Sequence, residues 1–373
     1  MKIIAVNNNK ALSWFINYPH RLYAGDPFYS PQLNLMQQRL LSPANNPFFQ
    51  QAEAAFFLAI NETGEIKGRI AAIHNRLHLD LYKDNTGFFG FFDCANDPAT
   101  ATALLDTAAG WLKGKGIQHM TGPENPGTND SVGLLTRGFE KPAVFLMPYN
   151  FPYYEELLLK YGMKPVMQLY SYLFRDNGLP PALAAKAMVL EQRLAGQGIV
   201  IRPINLSRYE QEVRQLHAVY NEANQGNWGF LPLDKKSFFR MAGDLRKIVR
   251  ADQILIVEKE DRIIGYSVSV PDLNQVFRTI PDGRLFPWGW YRLLTSRKKI
   301  NGFRIMILGV LPDFRGMGID WCLYATIASR AISHGMKWGE ACYVMEENVP
   351  MNRMMKALEA ERVCDYRLYS INL

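Results

Sequence analysis

The residues whose types and spacing point most directly to chemistry are Leu308–Ile319, LGVLPDFRGMGI. An apolar run ends at Val310, and Pro312 cannot extend a strand. Arg315-Gly316-Met317-Gly318 then leads into a segment with apolar residues at Trp321, Tyr324, Ile327, Ala328 and Ala331, one stripe at helical spacing. Strand, glycine loop and helix N-terminus in this order make a site for an anion. The N–H groups of the first helical turn have no partner inside the helix, and the helix dipole favours negative charge there. Glycine at 316 and 318 lets a pyrophosphate approach the backbone with no Cβ in the way, and Arg315 offers a cation beside it. The plainer reading of the same residues is a strand-to-helix turn with an exposed arginine.

The elements that must position this loop occur twice along the chain. In the first half, Glu53–Ile60 and Ile66–Ile73 flank NETGE as a hairpin. Thr86–Cys94 is an aromatic-rich buried strand. Asp97-Pro98 gives an N-cap and a first-turn proline for a helix running to about Lys115, where Gly116 stops it. Ile117–Thr121, Tyr153–Tyr161 and Val166–Phe174 follow as strand, helix and strand. In the second half, Gln253–Val257 and Ile263–Val270 form the hairpin and Phe303–Val310 the strand. A loop and helix then run from Asp313 to His334. Trp338–Met345, Pro350–Ala360 and Cys364–Ile371 read as strand, helix and strand. Between the halves, Pro180–Gly198 reads as a linking helix. This places domains at 1–178 and 199–373, with residues 179–198 between them. Thr121–Asn150 reads as a long ordered loop, its apolar run Ala143–Met147 lying over a surface.

V-x-P-x-x-R-G-x-G-I resembles the coenzyme A loop of the GNAT superfamily of N-acetyltransferases, whose pattern is Q/R-x-x-G-x-G/A. Arg315 stands at the first position and Gly318 at the fourth; Asp320 takes the sixth, where the family has glycine or alanine. The first half is similar to the family by element order and by Leu159–Met163, but has Asn96-Asp97-Pro98 where the loop would be. The resemblance implies an α+β fold, two GNAT-like domains each with a mixed, mostly antiparallel central sheet flanked by helices. It also resembles large bacterial tandem-GNAT-like proteins and, more distantly, the Fem ligases. It implies acetyl-CoA or another acyl-CoA as cofactor, held by Leu308, Gly309, Val310, Arg315, Gly316, Met317, Gly318, Ile319 and Asn348, in a V-shaped gap between Phe303–Val310 and Trp338–Met345. Asn348 matches the asparagine that follows the family's fifth strand, and it is equally placed as a helix N-cap before Pro350. Seven residues on, the family often carries a tyrosine acid; this chain has Met355, and Tyr343 is the nearest candidate in sequence. Glu340, Glu346 and Glu347 are the carboxylates near the gap and stay open as the base; Glu340 and Glu346 would share a strand face by the period of two, and Glu346 joins Asn348 and Tyr343 as a candidate catalytic residue. The acceptor side is expected from Asn221–Leu233, with Asn224, Asn227, Trp228 and Phe230 as contacts. Asn125, Asn129, Tyr149 and Asn150 of the first-half loop are candidates to close the same cleft.

Composition narrows the partners. Of 373 residues nearly half are hydrophobic and about a fifth charged, enough for two cored domains without metal or disulfide. The four cysteines form no CxxC pair, and His74 and His78 have no HExxH pattern, so no metal site is expected. The start shows no signal peptide and no segment approaches a membrane span, which together with reduced thiols reads as cytoplasmic, without a membrane partner. The net charge of +7 suits an anionic cofactor, but no Lys/Arg block with interleaved aromatics marks a DNA-binding surface. Three functions stay open. The first is acyl transfer from coenzyme A to a small-molecule or peptide amine. The second is a binding or regulatory module that has lost catalysis, to which Asp320 and Met355 point. The third is a Fem-like aminoacyl-tRNA ligase, against which the glycine loop argues, since a tRNA donor does not need it.

Overall fold

The computed structural model describes residues 1–175 and 180–373. The boundary drawn at 178/179 lies outside the described residues. Two compact units are present. Unit 1 comprises 1–169, 273–298 and 364–373; unit 2 comprises 170–272 and 299–363.

In unit 1, β1 (Lys2–Ala5), β2 (Ala52–Ile60), β3 (Ile66–Asn75) and β4 (Thr86–Cys94) pair antiparallel in sequence order, and β5 (His119–Gly122) joins β4 in parallel. The other edge of β5 takes the end of the chain, with Tyr369 opposite Gly122 and Asn372 opposite His119. Helix α1 (Asn9–Leu22) packs on one sheet face and α2 (Pro98–Lys113) and α3 (Tyr153–Lys160) on the other. The α2 stripe Ala101, Leu104, Leu105, Ala108 and Leu112 is buried against Ile70, Phe89 and Met120. Spacing of three and four residues aligns these side chains on one face. The hairpin and helix fall where the alternation and the Asp97 cap place them. The expected Ile117 strand starts two residues late, because the Ile117 N–H closes the end of α2 by donating to Leu112 O at 3.2 Å.

The 121–150 segment departs from the loop expected of it. Glu124–Asn125 and Ser131–Val132 form a short ribbon, and Leu134–Arg137 pairs with Asp365–Arg367. Ala143, Val144, Phe145 and Met147 are buried. They are core, not a surface cover, because residues 273–298 also fold into unit 1. There Phe277 meets the Phe145 ring edge-on, and the Asn274 amide donates to Ala143 O at 2.8 Å.

The polar centre of unit 1 is closed. Arg69 Nε donates to Asp93 at 2.7 Å and its Nη1 to Phe15 O; Tyr23 donates to the other Asp93 oxygen at 2.8 Å. Tyr154 lies 3.0 Å from the Tyr23 hydroxyl and accepts from the Cys94 N–H. A buried pair of this kind is stable only while every member is satisfied.

Strand β6 (Lys164–Arg175) begins in unit 1 and ends in unit 2, where its second part lies beside a later strand. Unit 2 then holds α4 (Pro181–Gly196), β7 (Ile199–Pro203), α5 (Tyr209–Asn224), β8 (Ile254–Lys259), β9 (Arg262–Pro271), β10 (Gly302–Val310), α6 (Ile319–Ser333), β11 (Trp338–Met345) and α7 (Val349–Ala357). Strands β7 to β10 are antiparallel neighbours in sequence order; β11 pairs with β10 in parallel. Each unit therefore contains a strand segment from the other half of the sequence, with both hairpin–strand–helix–strand cores as expected.

Replacing Asp93 by alanine strands the Arg69 cation in the core and is expected to cost about 3–5 kcal/mol of unit 1 stability. Hydrogen exchange of β3 and β4 amides reads this directly; protection equal to wild type would remove the network from the account of stability.

Candidate active site

The glycine loop of unit 2 is built by backbone conformations that other residues resist. Pro312–Phe314 forms one 3-10 turn after β10, and Arg315 returns to extended backbone. Gly316 and Gly318 have φ of 76° and 86°, in the left-handed region. A Cβ on Gly316 would meet nothing, so its demand is conformational alone. One on Gly318 would also stand 3.2 Å from Leu190 of α4. Gly318 is the N-cap of α6, and no side chain caps that helix among the described residues. The first-turn amides are thus left for an external acceptor, as the anion reading requires. Ile319 is buried and anchors the turn, Met317 is half-buried, and Asp320 sits in the first turn.

Arg315, expected beside a phosphate, is also tied to the backbone. Its Nε donates to Val310 O at 3.2 Å and its Nη2 to Ala223 O at 2.9 Å. These bonds tie the loop to the ends of β10 and α5. The guanidinium fixes the cradle with those two nitrogens, where the sequence suggested a phosphate ligand.

The gap beside the loop follows from register. The β10–β11 ladder pairs only Gly302–Ile305 with Trp338–Ala341. Past it, β10 continues to Val310 and β11 to Met345. Met306, Ile307 and Leu308 are half-buried, as are Tyr343 and Met345, although both strands are interior to the sheet order. Two parallel strands that stop pairing leave backbone N–H and C=O groups facing a slot, and an extended ligand can pair with such an edge.

At the far end of β11, hydroxyls of β6 sort the carboxylates. Tyr170 donates to Glu346, and Ser171 donates to Glu340. Neighbouring residues of a strand face opposite ways, so the two glutamates are held from different faces of β6. The expectation that they share a face fails because Glu346 lies one residue beyond the last residue of β11. Glu340 is fully buried, opposite the buried Arg304 in the ladder; Glu346 is exposed. Asn348 is the N-cap of α7, accepting from the Met351 N–H at 3.2 Å. Asn352, not singled out by the sequence, holds this corner. Its amide donates to the carbonyls of Met345, Glu346 and Asn348, and its oxygen accepts from Tyr172 at 2.7 Å. Asn-x-x-x-Asn across a proline-started helix was the available signal. Tyr343 is half-buried with the Arg304 guanidinium 5.6 Å from its ring. Met355 is fully buried, so its position offers no acid.

The expected acceptor segment is tied down by its own asparagines. Asn221 donates to and accepts from the Leu233 backbone at 3.0 Å each way. Asn224, buried, donates to Tyr220 O and to Tyr266 Oη and accepts from Asn227 at 3.1 Å. Phe230 packs on Tyr220, and Trp228 is exposed. Asn224 and Asn227 therefore fix the loop; of the four candidates, only Trp228 is a large apolar group presented to solvent.

The equivalent place in unit 1 is filled by the chain. The Asn125 side chain accepts from the Phe91 N–H of β4. Residue 124 runs so close to Gly90 that a Cβ there would lie 1.6 Å from Glu124 O. The N-terminus of α2 is capped by the Asp97 carboxylate, which accepts from the N–H groups of Ala99 and Thr100. Tyr149 donates to Asp26 and Asn150 bonds both backbone groups of Leu135, all within unit 1. Glu124, missed in the sequence, is buried with Oε1 unpartnered, and burial, with Asp130 nearby, pushes its carboxyl up to about 8.

Fold and site geometry define a tandem GNAT-fold protein. It is similar to a GCN5-related N-acetyltransferase from Sphaerobacter thermophilus (TM-score 0.58, 15% identity, 99% of this chain and 95% of that one). It is also similar to a tandem GNAT protein from the clavulanic acid biosynthesis pathway (TM-score 0.59, 11% identity, 100% and 98%). No family model matches the chain. Among curated proteins it is 31% identical to Protein YghO of Escherichia coli over 97% of this chain and 93% of that one. It is 30% identical to the bacterial ceramide synthase of Caulobacter vibrioides over 99% and 97%. The chain belongs to the family of these two proteins.

Glu124 carries a pH signature. Its folded pKa lies above the ordinary carboxylate value, so the folded state holds a proton that the unfolded state releases. That contribution is fully present below about pH 4.5 and is lost as pH rises toward about 8. Asp130, which burial raises to about 7, adds a limb of the same sign, so the Glu124→Gln variant should flatten but not abolish the decline in thermal unfolding between pH 5 and 8; an unchanged profile would contradict the assignment.

Proposed function

We propose that unit 2 is an acyl-CoA-dependent N-acyltransferase that passes an acyl group directly to an amine. The observation that carries this is the contrast between two helix N-termini at like places in one fold. In unit 1 a carboxylate fills the anion position; in unit 2 Gly318 leaves it open beside a forked strand pair. A bound acyl-CoA would supply an acyl thioester activated for attack by an amine. The first-turn amides of α6 and the backbone of 316–318 would hold its pyrophosphate, and Leu308–Val310 would pair with its pantetheine arm. A backbone N–H in Leu308–Val310 would bind the carbonyl oxygen as charge develops. Glu346, oriented by Tyr170, would take the proton from the amine, and Tyr343 would return one to the leaving thiolate. Asn348 and Asn352 would fix the turn that carries Glu346. The four cysteines are buried and burial raises the Cys322 thiol to about 11, so none is offered as a nucleophile.

The acceptor is an amine. The name of the Caulobacter relative refers to an N-acylated product, so long-chain amino alcohols head the acceptor screen. The open helix terminus favours this reading over a tRNA-dependent ligase. A ligand-binding module without turnover is the second reading, favoured by Met355 and Asp320.

Calorimetry with acetyl-CoA and longer acyl-CoAs tests the cofactor. Binding is expected for wild type and a loss of tenfold or more, about 1.4 kcal/mol, for Gly318→Trp. No binding of any acyl-CoA at millimolar ligand would withdraw the proposal. With an acceptor in hand, Glu346→Gln should lower kcat by roughly 10²–10⁴ while cofactor affinity stays unchanged; unchanged kcat would remove Glu346 as the base.

A further inference from the structure

The segment 273–298 is inserted between β9 and β10 and belongs to unit 1. Its base is anchored: Leu273, Val276, Phe277 and Ile280 are buried, and the Gly283 carbonyl accepts from the Asn34 N–H at 2.9 Å. Its tip is the opposite. Phe286 is 79% exposed and Trp288 69%, followed on the Gly289–Ser296 helix by Trp290, Tyr291 and Leu294, all exposed. Residues 290, 291 and 294 share one helical face by spacing. Gly289, buried, lets the turn close, since a Cβ there would stand 2.1 Å from Arg284 O. A rigid, folded base therefore presents large aromatic groups to solvent, and single-chain proteins seldom do that without a partner.

The charge around this tip identifies the partner. Residues 284–298 read RLFPWGWYRLLTSRK, with Arg284, Arg292, Arg297 and Lys298 and no acidic residue; Asp282, just before them, pairs with Arg284 at 3.9 Å. All four cations are exposed. Arg292 also donates to Thr279 O, which holds it on the flank of the helix. Trp, Tyr and Phe beside Arg and Lys is the composition that settles at the boundary between acyl chains and headgroups. No helix among the described residues is long and apolar enough to cross a membrane, so an attachment here lies in the surface plane. A second copy of the chain is the less favourable occupant. At 150–250 Å² per aromatic side chain and partial exposure the tip offers about 500 Å², whereas a standard stable interface covers about 800 Å² per partner.

We propose that the 284–298 tip is a membrane-docking element that inserts Phe286, Trp288, Trp290, Tyr291 and Leu294 at the surface of an anionic bilayer, with Arg292, Arg297 and Lys298 on lipid phosphates. It departs from the expectation of no membrane partner, which rested on the lack of a spanning segment. It does not depend on the acyltransferase reading.

The test is co-sedimentation of the full chain with vesicles of phosphatidylcholine alone or mixed with phosphatidylglycerol. Partition onto the mixed vesicles, little onto the neutral ones, and release by high salt are expected. Two variants divide the surface: Trp288→Ala/Trp290→Ala/Leu294→Ala, and Arg292→Ala/Arg297→Ala/Lys298→Ala. Each should partition at least about tenfold more weakly, with thermal unfolding and acyl-CoA binding like wild type. Failure of wild type to bind the mixed vesicles, or binding by both variants as strong as that of wild type, overturns the proposal. So does a concentration-dependent dimer in solution that the tryptophan variant abolishes, since the tip would then be an interface between copies.

Discussion

Backbone polar groups in a sheet interior must find partners, and a pair of parallel strands that diverges creates a row that the sheet itself does not satisfy. Both units of this protein contain that divergence. In unit 1 the chain supplies the partner: Asn125 takes the Phe91 N–H, and residues 122–125 run across Gly90 and Phe89 so closely that neither Gly90 nor Gly122 tolerates a Cβ. In unit 2, β10 and β11 part after four paired residues and the stretch Met306–Leu308 keeps partial exposure. One copy has closed the slot with its own polypeptide, and the other has not.

The helix that starts beside each slot follows the same logic. Asp97 gives α2 a carboxylate cap, which satisfies two N–H groups and complements the dipole. Gly318 gives α6 neither. A helix start without a cap forgoes roughly 1 kcal/mol, and the loop before it holds two glycines in the left-handed region, which is entropically costly in the unfolded chain. Arg315 recovers part of this by binding the carbonyls of Val310 and Ala223. A loop that spends an arginine on rigidity, while leaving its amides open, has the organisation that the proposed anion site requires. Local strain of this sort is expected at sites and not in scaffolds.

Much of this was legible in the sequence because it rests on local signals. Asp97-Pro98, the Arg315–Gly318 loop, the two hairpins and Trp338–Met345 are encoded within a few residues of where they act. What was not legible depends on distant pairings. The 273–298 segment has ordinary helical spacing, and only its burial against Ala143 and Phe145 shows that it serves the other unit. Asn224 and Asn227 have the chemistry of substrate contacts, yet Tyr266, 42 residues on, turns Asn224 into a loop tie. Arg315 was read from its charge, whereas its role follows from the position of Ala223 O. Glu340 and Glu346 separated because a strand ended one residue sooner than the alternation assumed.

Closing a slot also changes what a domain can be used for. With its slot occupied by residues 122–125, unit 1 fills its centre with Arg69, Asp93, Tyr23 and Tyr154 in a bonded cluster, and its aromatic rings pack around it. Such a core is rigid because removing any member leaves a buried charge or hydroxyl unsatisfied. Rigidity is what an inserted segment needs if it is to hold Trp288 and Trp290 in water when burying them would be favourable. Leu273, Val276 and Phe277 are buried, Phe277 against Phe145, and Gly289 sets the turn of the tip. The duplicated fold thus separates two demands that conflict within one domain: unit 2 keeps an opening and bears its energetic cost, while unit 1 gives up its opening and gains a stable platform.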